Sequence, residues 1–153
     1  MLEIRRIQEA DAEAVVELWD QMCLAVADGG PLKAAGRRNI TRMLEMSAWH
    51  QEAFTLVAID DGRLVGFVTG ELSAGSGLLP GLTGEIGELG VAPRADGCGL
   101  RRQLAEAAVR HLQNAGAGPI FAFEDIDDTD APGRWSELGF EGDMVRFSLY
   151  PPD

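Results

Sequence analysis

The sequence predicts an α/β fold in which a mixed, mostly antiparallel β-sheet is flanked by helices. Two strand-like runs, 53–60 and 63–72, are joined by Asp61-Gly62, the dipeptide most typical of a tight β-hairpin. Longer segments before and after these runs repeat their apolar residues at helical spacing. The predicted order is β-α-α-β-β-β-α-β-α-β, so antiparallel hairpins come first and strands crossed by helices come later.

The first third of the chain is predicted to contain one strand and two helices. Residues 2–7 alternate apolar and charged side chains, as a half-buried strand does. Asp11 is placed to cap a first helix, and the breaker-rich segment 28–36 separates it from a second helix over 37–50. The apolar positions at helical spacing are Val15, Leu18, Trp19, Met22 and Val26 in the first helix and Ile40, Met43 and Leu44 in the second, where Ser47 is a further candidate for the same side.

The remaining elements alternate between strands and helices. A glycine-rich loop over 73–83 leads to a strand over 84–92. A helix over 99–115 follows, with Gly116 as its stop. Its apolar face contains Leu100, Leu104, Ala108 and Leu112. A strand over 119–125, a short helix over 130–138 and a last strand over 143–150 complete the prediction.

Length and composition indicate one globular domain. The chain has 153 residues, of which 46% are hydrophobic and 25% charged, which is an ordinary globular composition. A chain of this size can bury a substantial core without disulfide or metal support. Neither an internal repeat nor a long polar linker divides the sequence. We therefore predict a single domain over 1–153.

The net charge of −12 limits the classes of partner. Proteins that bind phosphate backbones need a stripe of Lys and Arg, and the sequence has none, so nucleic acid is not predicted as a partner. An acidic cleft would instead concentrate cationic small molecules or basic peptides. The alternative is that the charge only keeps the protein in solution. The acidic segment 124–130 has the same two interpretations.

Cysteine and histidine spacing does not predict a metal site. Cys23 and Cys98 are far apart and match no zinc pattern, and His50 and His111 are equally isolated. The charged N-terminus does not resemble a secretory signal, and no stretch reaches the ~20 apolar residues of a membrane span. We expect a cytoplasmic protein, and the sequence leaves open whether it forms a homodimer.

The segment 85–105 carries the strongest functional signal. A strand runs into a turn containing Gly97 and Gly99 and then directly into an amphipathic helix. Free N–H groups at such a helix start can bind an anion, and glycines let a pyrophosphate approach the backbone closely. A tight turn needed only for folding would give the same local pattern.

This segment resembles the central motif of the GNAT superfamily of acetyl-CoA-dependent N-acetyltransferases. In that motif a strand ending Val-x-Pro is followed by a glycine-rich loop and a leucine-rich helix. The matching residues are Val91, Pro93, Gly97, Gly99, Leu100 and Leu104. A second family mark is the Leu-Gly-Phe that ends the run from Trp135 to Phe140. The resemblance covers nearly the whole chain and implies acetyl-CoA as the cosubstrate.

The pyrophosphate loop departs from the family pattern at two positions. Asp96 stands where the family usually has Gln or Arg, and Arg101 stands where it has a small residue. A shifted frame that starts at Arg94 restores the basic residue but loses the Val-x-Pro spacing. The residues that the resemblance assigns to the cofactor are Leu89, Gly90, Val91, Asp96, Gly97, Cys98, Gly99, Leu100, Arg101 and Arg102.

The resemblance also implies catalytic roles. Some family members use a Glu six residues before the strand-ending Val as general base, and the matching residue is Glu85. Glu88 and Glu71 are alternatives for this role. If Glu85 has no catalytic role, it is an ordinary solvated residue of the strand. Backbone N–H groups from Leu89 to Val91 would polarise the thioester carbonyl, with a β-bulge expected at Gly90. The usual acidic Tyr is replaced by Trp135, whose indole cannot act in the same way.

Two functions are carried forward. The first is transfer of an acetyl group from acetyl-CoA to a primary amine of a small molecule or peptide. The second is a binding or regulatory module of the same fold with weakened CoA binding, which Asp96, Arg101 and Trp135 would favour. The family binds its acceptors through the first two helices and the loops that correspond to 28–36 and 73–83, and those segments do not identify an acceptor.

Overall fold

The structure is a computed structural model that describes residues 1–25, 30–74 and 81–152, without the side chain of Ala25. The chain forms two compact units, Met1–Phe123 and Glu124–Asp153. One domain over the whole chain stays a prediction. Parts of the predicted loops 28–36 and 73–83, and Val26 of the first helix, lie outside the described residues.

The first unit contains a five-stranded sheet and three α-helices. The strands are adjacent in chain order from β1 to β5, antiparallel up to β4 and parallel between β4 and β5. This arrangement confirms the predicted mixed, mostly antiparallel sheet. The elements are β1 Leu2–Arg6, α1 Ala12–Ala25, α2 Ala34–Ser47, β2 Ala53–Asp60, β3 Arg63–Ser73, β4 Thr83–Val91, α3 Leu100–Asn114 and β5 Ile120–Ala122.

The β2–β3 hairpin turns where the sequence predicts. Asp61 and Gly62 have φ values of 46° and 76°, as the two-residue turn that matches strand twist requires. The Asp61 carboxylate accepts a hydrogen bond from the N-terminal ammonium at 2.9 Å. This local turn pairs two long strands at the centre of the sheet.

The helices cover both faces of the sheet. On one face Trp19 of α1 stacks on Phe67 of β3, with ring centroids 5.5 Å apart. On the other face Leu104 and Leu112 of α3 are fully buried. Gly66 of β3 and Gly84 of β4 make room for these two leucines. The core cluster on the α1 and α2 side contains Ile7, Ala12, Val15, Val16, Leu18, Leu44, Val57, Phe67 and Ala92.

Asp11 does not cap the first helix as predicted. It ends a 3-10 turn, Glu9–Asp11, and its carboxylate accepts the Gln8 N–H at 2.8 Å. The Arg5 guanidinium also binds this carboxylate at 2.8 Å and holds the pKa of Asp11 below its usual value. The helix still begins at Ala12, directly after this charge-paired turn.

The second helix begins and ends three residues earlier than predicted. Its core side consists of Leu44 and Ser47, which are buried, and Ile40, which packs against the core. Met43 was predicted on this side but is largely exposed. Met43 immediately precedes the buried Leu44, so it lies about 100° away from that residue around the helix and at the edge of the core side.

The second unit contains one short helix, α4 (Ala131–Ser136), and lacks the predicted last strand over 143–150. Phe147 and Leu149 in that segment are 92% and 99% exposed. The alternating pattern predicts strand character, but a strand also needs a neighbour to complete its hydrogen bonds. The described residues provide none for this segment, so the prediction of a strand there is wrong.

The acidic segment of the second unit forms local turns. The carboxylates of Asp125 and Asp128 accept backbone N–H groups two residues further on. Arg134 pairs with Asp128 at 2.7 Å and lowers the pKa of that carboxyl group. The Trp135 indole N–H donates to Glu124 at 3.0 Å. These contacts favour a solvated, turn-forming loop as the role of the segment.

No described helix is long and apolar enough to cross a membrane. The described residues also contain no group of three or more His, Cys, Asp or Glu side chains arranged to hold a metal ion. A cytoplasmic location and a homodimer stay predictions.

Candidate functional site

The sheet opens along the second half of β4. The ladder between β4 and β5 covers Gly84 to Ile86. Beyond Ile86, β4 continues to Val91 beside β3, and no strand in the described part of the chain pairs with it on the β5 side. The end of β4 therefore has one paired edge and one edge without a strand.

A β-bulge lies where this opening starts. Val68 pairs with Leu89 but Gly70 pairs with Ile86, so Thr69 faces two residues of β4. Those two residues are Gly87 and Glu88. A bulge of this kind bends its strand and re-aims the residues that follow.

Thr69 makes the contacts that define the bulge. Its hydroxyl accepts the Glu88 backbone N–H at 2.8 Å. A β-carbon on residue 87 would lie 2.5 Å from the same hydroxyl oxygen, so Gly87 is needed for the close approach. Sequence reasoning missed Thr69, because one threonine inside a strand pattern gives no sign of a bulge on the neighbouring strand.

The bulge was predicted at Gly90, and that position was wrong. Gly90 pairs in register with Phe67. A β-carbon there would lie 2.6 Å from a Phe67 ring atom and against the Met22 sulfur. Gly90 is therefore required by the close packing of α1 and β3 on this strand, not by an irregular backbone.

The register decides where the backbone groups of β4 point. The Ala92 N–H donates to the Val65 carbonyl at 2.8 Å. Hydrogen-bonded and non-hydrogen-bonded pairs alternate in an antiparallel ladder. The backbone N–H group of Gly90 therefore also points toward β3, while those of Leu89 and Val91 point away from it. Two backbone N–H groups are thus directed to the open side of β4.

A glycine-containing loop connects this strand to α3. Gly97 and Gly99 have φ values of 87° and 78°, which glycine adopts without strain. No heavy atom lies within 4 Å of the β-carbon position at either residue. Gly99 precedes the helix and cannot cap it with a side chain, so the N–H groups of the first turn of α3 are available as donors.

The two departures from the family pattern contact each other. The Asp96 carboxylate accepts the Gly97 N–H at 3.1 Å and lies 3.4 Å from Nε of Arg101. Both side chains are about half exposed, where an ion pair contributes little free energy. Arg102 instead donates to Glu106 within α3, at 2.9 Å. The negative charge on the loop is therefore partly offset by its own neighbour.

Cys98 does not resemble a nucleophile. Its exposed thiol donates to the Ala95 carbonyl within the same loop. No histidine contact accompanies it in the described residues. The thiol belongs to the loop's internal hydrogen bonding.

The carboxylate candidates lie near the bulge. Glu85 of β4 is directly opposite Glu71 of β3, so the two side chains share one face of the sheet. Both line a cavity of about 140 Å³ together with Thr69, Ser47 and residues of β2. Glu88 lies within the bulge itself and is exposed. The structure therefore brings together Glu85 and Glu71, both of which the sequence suggested.

Two hydroxyl groups line this cavity, and both have hydrogen-bond partners. The Ser47 hydroxyl contacts that of Thr55 at 2.8 Å and donates to the Leu44 carbonyl at 2.7 Å. Both residues are buried. Sequence reasoning missed this pair because α2 and β2 bring the two hydroxyls together only in the folded chain.

Comparison with known proteins identifies the family of the chain. The sequence model of the acetyltransferase (GNAT) family matches residues 14–140, which include the whole opening of β4 and the glycine loop. The chain belongs to this family.

Curated relatives match parts of much longer proteins. A mycothiol acetyltransferase of Arthrobacter sp. (strain FB24) is 36% identical over 93 residues, which are 60% of this chain and 28% of the relative. A mycothiol acetyltransferase of Catenulispora acidiphila is 30% identical over 130 residues, which are 85% of this chain and 40% of the relative. The chain thus spans about a third of these relatives.

Solved structures share the GNAT fold over nearly the full length. An aminoglycoside N-acetyltransferase in complex with CoA superposes with a TM-score of 0.77 at 18% identity, covering 99% of this chain and 95% of that one. Glucosamine-6-phosphate N-acetyltransferase from Arabidopsis thaliana gives 0.75 at 17% identity, covering 98% of both chains. These likenesses establish the fold of this GNAT-family chain.

Proposed function

We propose that this GNAT-family chain is an N-acetyltransferase that moves an acetyl group from acetyl-CoA to a primary amine by direct attack. The observation that carries the proposal is the opening of β4 beside the glycine loop. Donor N–H groups on the open edge of the strand and at the start of α3 follow one another along the chain, which supports one elongated anionic thioester as their common ligand.

The cofactor residues divide into two groups. Leu89, Gly90 and Val91 would receive the pantetheine arm along the open edge of β4. The loop from Asp96 to Arg102, with the backbone N–H groups of Leu100 and Arg101 at the start of α3, would receive the diphosphate. Open space around Gly97 and Gly99 supports close approach of phosphate oxygens to the backbone.

The acceptor amine would enter the cavity that Glu85 and Glu71 line. An alkylammonium has a pKa of about 10.4 and must lose its proton before it attacks. Two facing carboxylates favour the approach of a cation, and Glu85 is placed on the strand whose N–H groups would polarise the thioester carbonyl. We assign Glu85 as general base, with Glu71 beside it and Glu88 as a weaker alternative.

The leaving thiolate needs no dedicated acid in this scheme. The unperturbed thiol pKa of about 8.5 makes the thiolate a fair leaving group, so water can protonate it. The Trp135 indole already donates to Glu124 and is not an acid.

The second candidate is a binding module of the same fold that has lost catalysis. The Asp96 carboxylate supports it, because this group occupies the Gly97 N–H and brings negative charge to the loop. The two candidates differ in whether acetyl-CoA binds and is consumed.

Calorimetric titration with acetyl-CoA tests the cofactor binding that the enzymatic proposal requires, and release of the CoA thiol then tests catalysis. We expect saturable binding, and at a hundred times Kd a stabilisation of ~2.7 kcal/mol that raises Tm by roughly 5–10 °C. A two-state melt that does not shift at millimolar acetyl-CoA would contradict both cofactor binding and the enzymatic proposal.

Glu85→Gln then tests the mechanism with an acceptor found in a panel of alkylamines, polyamines, aminoglycosides and basic peptides. We expect kcat to fall by about 10²–10⁴-fold at neutral pH, with the loss shrinking as pH rises because more acceptor arrives neutral. KM for acetyl-CoA should change little. Glu88→Gln is the matched control, and an equal loss in both variants would move the base away from Glu85.

A further inference from the structure

Helix α2 carries an apolar stripe that the core does not use. Its core side is formed by Ile40, Leu44 and Ser47. Met43 and Met46, three residues apart and therefore neighbours on the helix surface, are nevertheless 45% and 42% exposed. Exposed apolar side chains that form a continuous patch commonly mark a binding surface. Methionine is well suited to one because its flexible thioether adapts to different ligands.

This stripe lines a groove that continues to the carboxylate pair. A cavity of about 270 Å³ beside α2 is lined by Met46, Asn39, Arg42 and His50, and it shares Met43, Ser47 and Ala53 with the cavity at Glu85 and Glu71. The two cavities therefore adjoin. One end of the combined groove carries the two methionines of α2 together with polar side chains, and the other end is acidic on β3 and β4.

The acidic end is formed by the two exposed carboxylates of Glu71 and Glu85. Among the ion pairs of the described residues, none involves Glu71 or Glu85. Like charges directly opposite each other on a sheet repel. Arg42 lines the cavity at the other end of the groove but not the cavity of the two carboxylates. A cation bound between Glu71 and Glu85 would interact favourably with both carboxylates.

We propose that the acceptor is an amphipathic primary amine, with its ammonium group at Glu71 and Glu85 and its apolar body along Met43 and Met46. The inference rests on the proposed function, since it names the substrate class of the same site. A polyamine or an amino sugar would satisfy the carboxylates but leave the methionine stripe uncovered. An alkyl or aryl amine satisfies both ends of the groove.

A matched pair of amines tests this substrate class. n-Heptylamine and its diether analogue, in which oxygens replace two methylenes, have the same chain length and charge. We expect kcat/KM for acetyl transfer, followed by release of the CoA thiol, to be at least about tenfold higher for heptylamine, because each buried methylene is worth ~0.8 kcal/mol. Met46→Gln should reduce this preference severalfold without changing the Kd for acetyl-CoA. Met144→Gln, at a methionine in the second unit that does not line the groove, should leave the preference intact.

A binding measurement keeps the inference independent of turnover. The chain has five methionines, so labelling their methyl groups with carbon-13 gives five NMR signals. Heptylamine should shift the signals of Met43 and Met46 and leave Met144 in place, while the diether should shift them far less. These shifts without acetyl transfer would support the groove and contradict the enzymatic proposal. Transfer with equal kcat/KM for both amines, or with unmoved Met43 and Met46 signals, would overturn the substrate class.

Discussion

At the residue scale, the two loop positions that differ from the family pattern compensate each other in part. Asp96 and Arg101 lie within 3.4 Å of one another, and Asp96 also holds the Gly97 N–H. A phosphate at this loop would therefore compete with the Asp96 carboxylate for both a backbone donor and a cation. The charge of residue 96 is the variable that decides how well the loop accepts a diphosphate.

Removing that charge should strengthen CoA binding. We expect Asp96→Asn to lower the Kd for CoA by about two- to fivefold, the equivalent of ~0.3–1 kcal/mol for one charge at a helix start, and Asp96→Arg to lower it further. Titration calorimetry at low and high salt measures the effect, which salt should weaken. Pantetheine, which lacks phosphates, should bind both variants as it binds the original protein.

A matched control uses a carboxylate on the far strand of the sheet. Glu3→Gln removes the same charge from β1, three strands away from β4, and should leave the Kd for CoA unchanged. If Asp96→Asn strengthens pantetheine and CoA equally, residue 96 does not face the diphosphate.

At the scale of elements, the bulge in β4 determines which backbone groups reach the opening. Thr69 of β3 holds the extra residue of β4 through the Glu88 N–H. Without this hydrogen bond the strand could pair regularly, and a one-residue slip would turn the donors of Leu89 and Val91 toward β3. The Thr69 side chain of β3 thus determines in which direction the backbone N–H groups of β4 point.

Thr69→Val should weaken cofactor binding more than it weakens the fold. Valine has nearly the shape of threonine but cannot accept the Glu88 N–H, so we expect the Kd for acetyl-CoA to rise about tenfold, the equivalent of ~1.4 kcal/mol. Thr69→Ser keeps the hydroxyl and should restore binding. Calorimetry gives Kd, and urea unfolding gives the free energy of unfolding for the same proteins. A Thr69→Ser variant as weak as Thr69→Val would show that the methyl group, not the hydroxyl, matters.

At the scale of the whole molecule, a histidine of helix α3 packs against the sheet. His111 stacks on Phe54 of β2 with ring centroids 4.0 Å apart. Burial lowers the pKa of His111, and the charge of Arg6 lowers it further. The folded protein therefore disfavours the imidazolium that the unfolded chain forms below a pH of about 6.5.

This depressed pKa should make folding stability depend on pH. Because the unfolded state binds the proton more readily, the free energy of unfolding should be highest above the unfolded pKa of about 6.5 and fall as pH decreases toward the folded value. Urea unfolding at pH 7.5 and at pH 5.5 measures this loss. His111→Gln, which does not titrate, should show a smaller loss over the same interval, and an unchanged loss would assign it to other groups. The pKa of Asp11 is also lowered, by Arg5, but its effect belongs to more acidic solutions.

Local chemistry explains what the sequence predicted correctly. The hairpin at Asp61-Gly62, the apolar face of α3 and the glycine turn before it all depend on residues close together in the chain. Their geometry follows from allowed backbone angles and from helical periodicity. The same locality made the family motif readable, because β4, the glycine loop and α3 follow one another along the chain.

By itself, then, the sequence determined the class of the fold, the strand and helix that flank the glycine loop, and the carboxylates worth testing. The tertiary structure alone decided the bulge at Gly87 rather than at Gly90, the contact of Asp96 with Arg101, the exposure of Met43 and the absence of a strand over 143–150. Each of these depends on which partner a residue meets across the sheet, the helix surface or the loop. Such pairings are set by register and packing between distant segments, and a pattern of neighbours along the chain does not contain them.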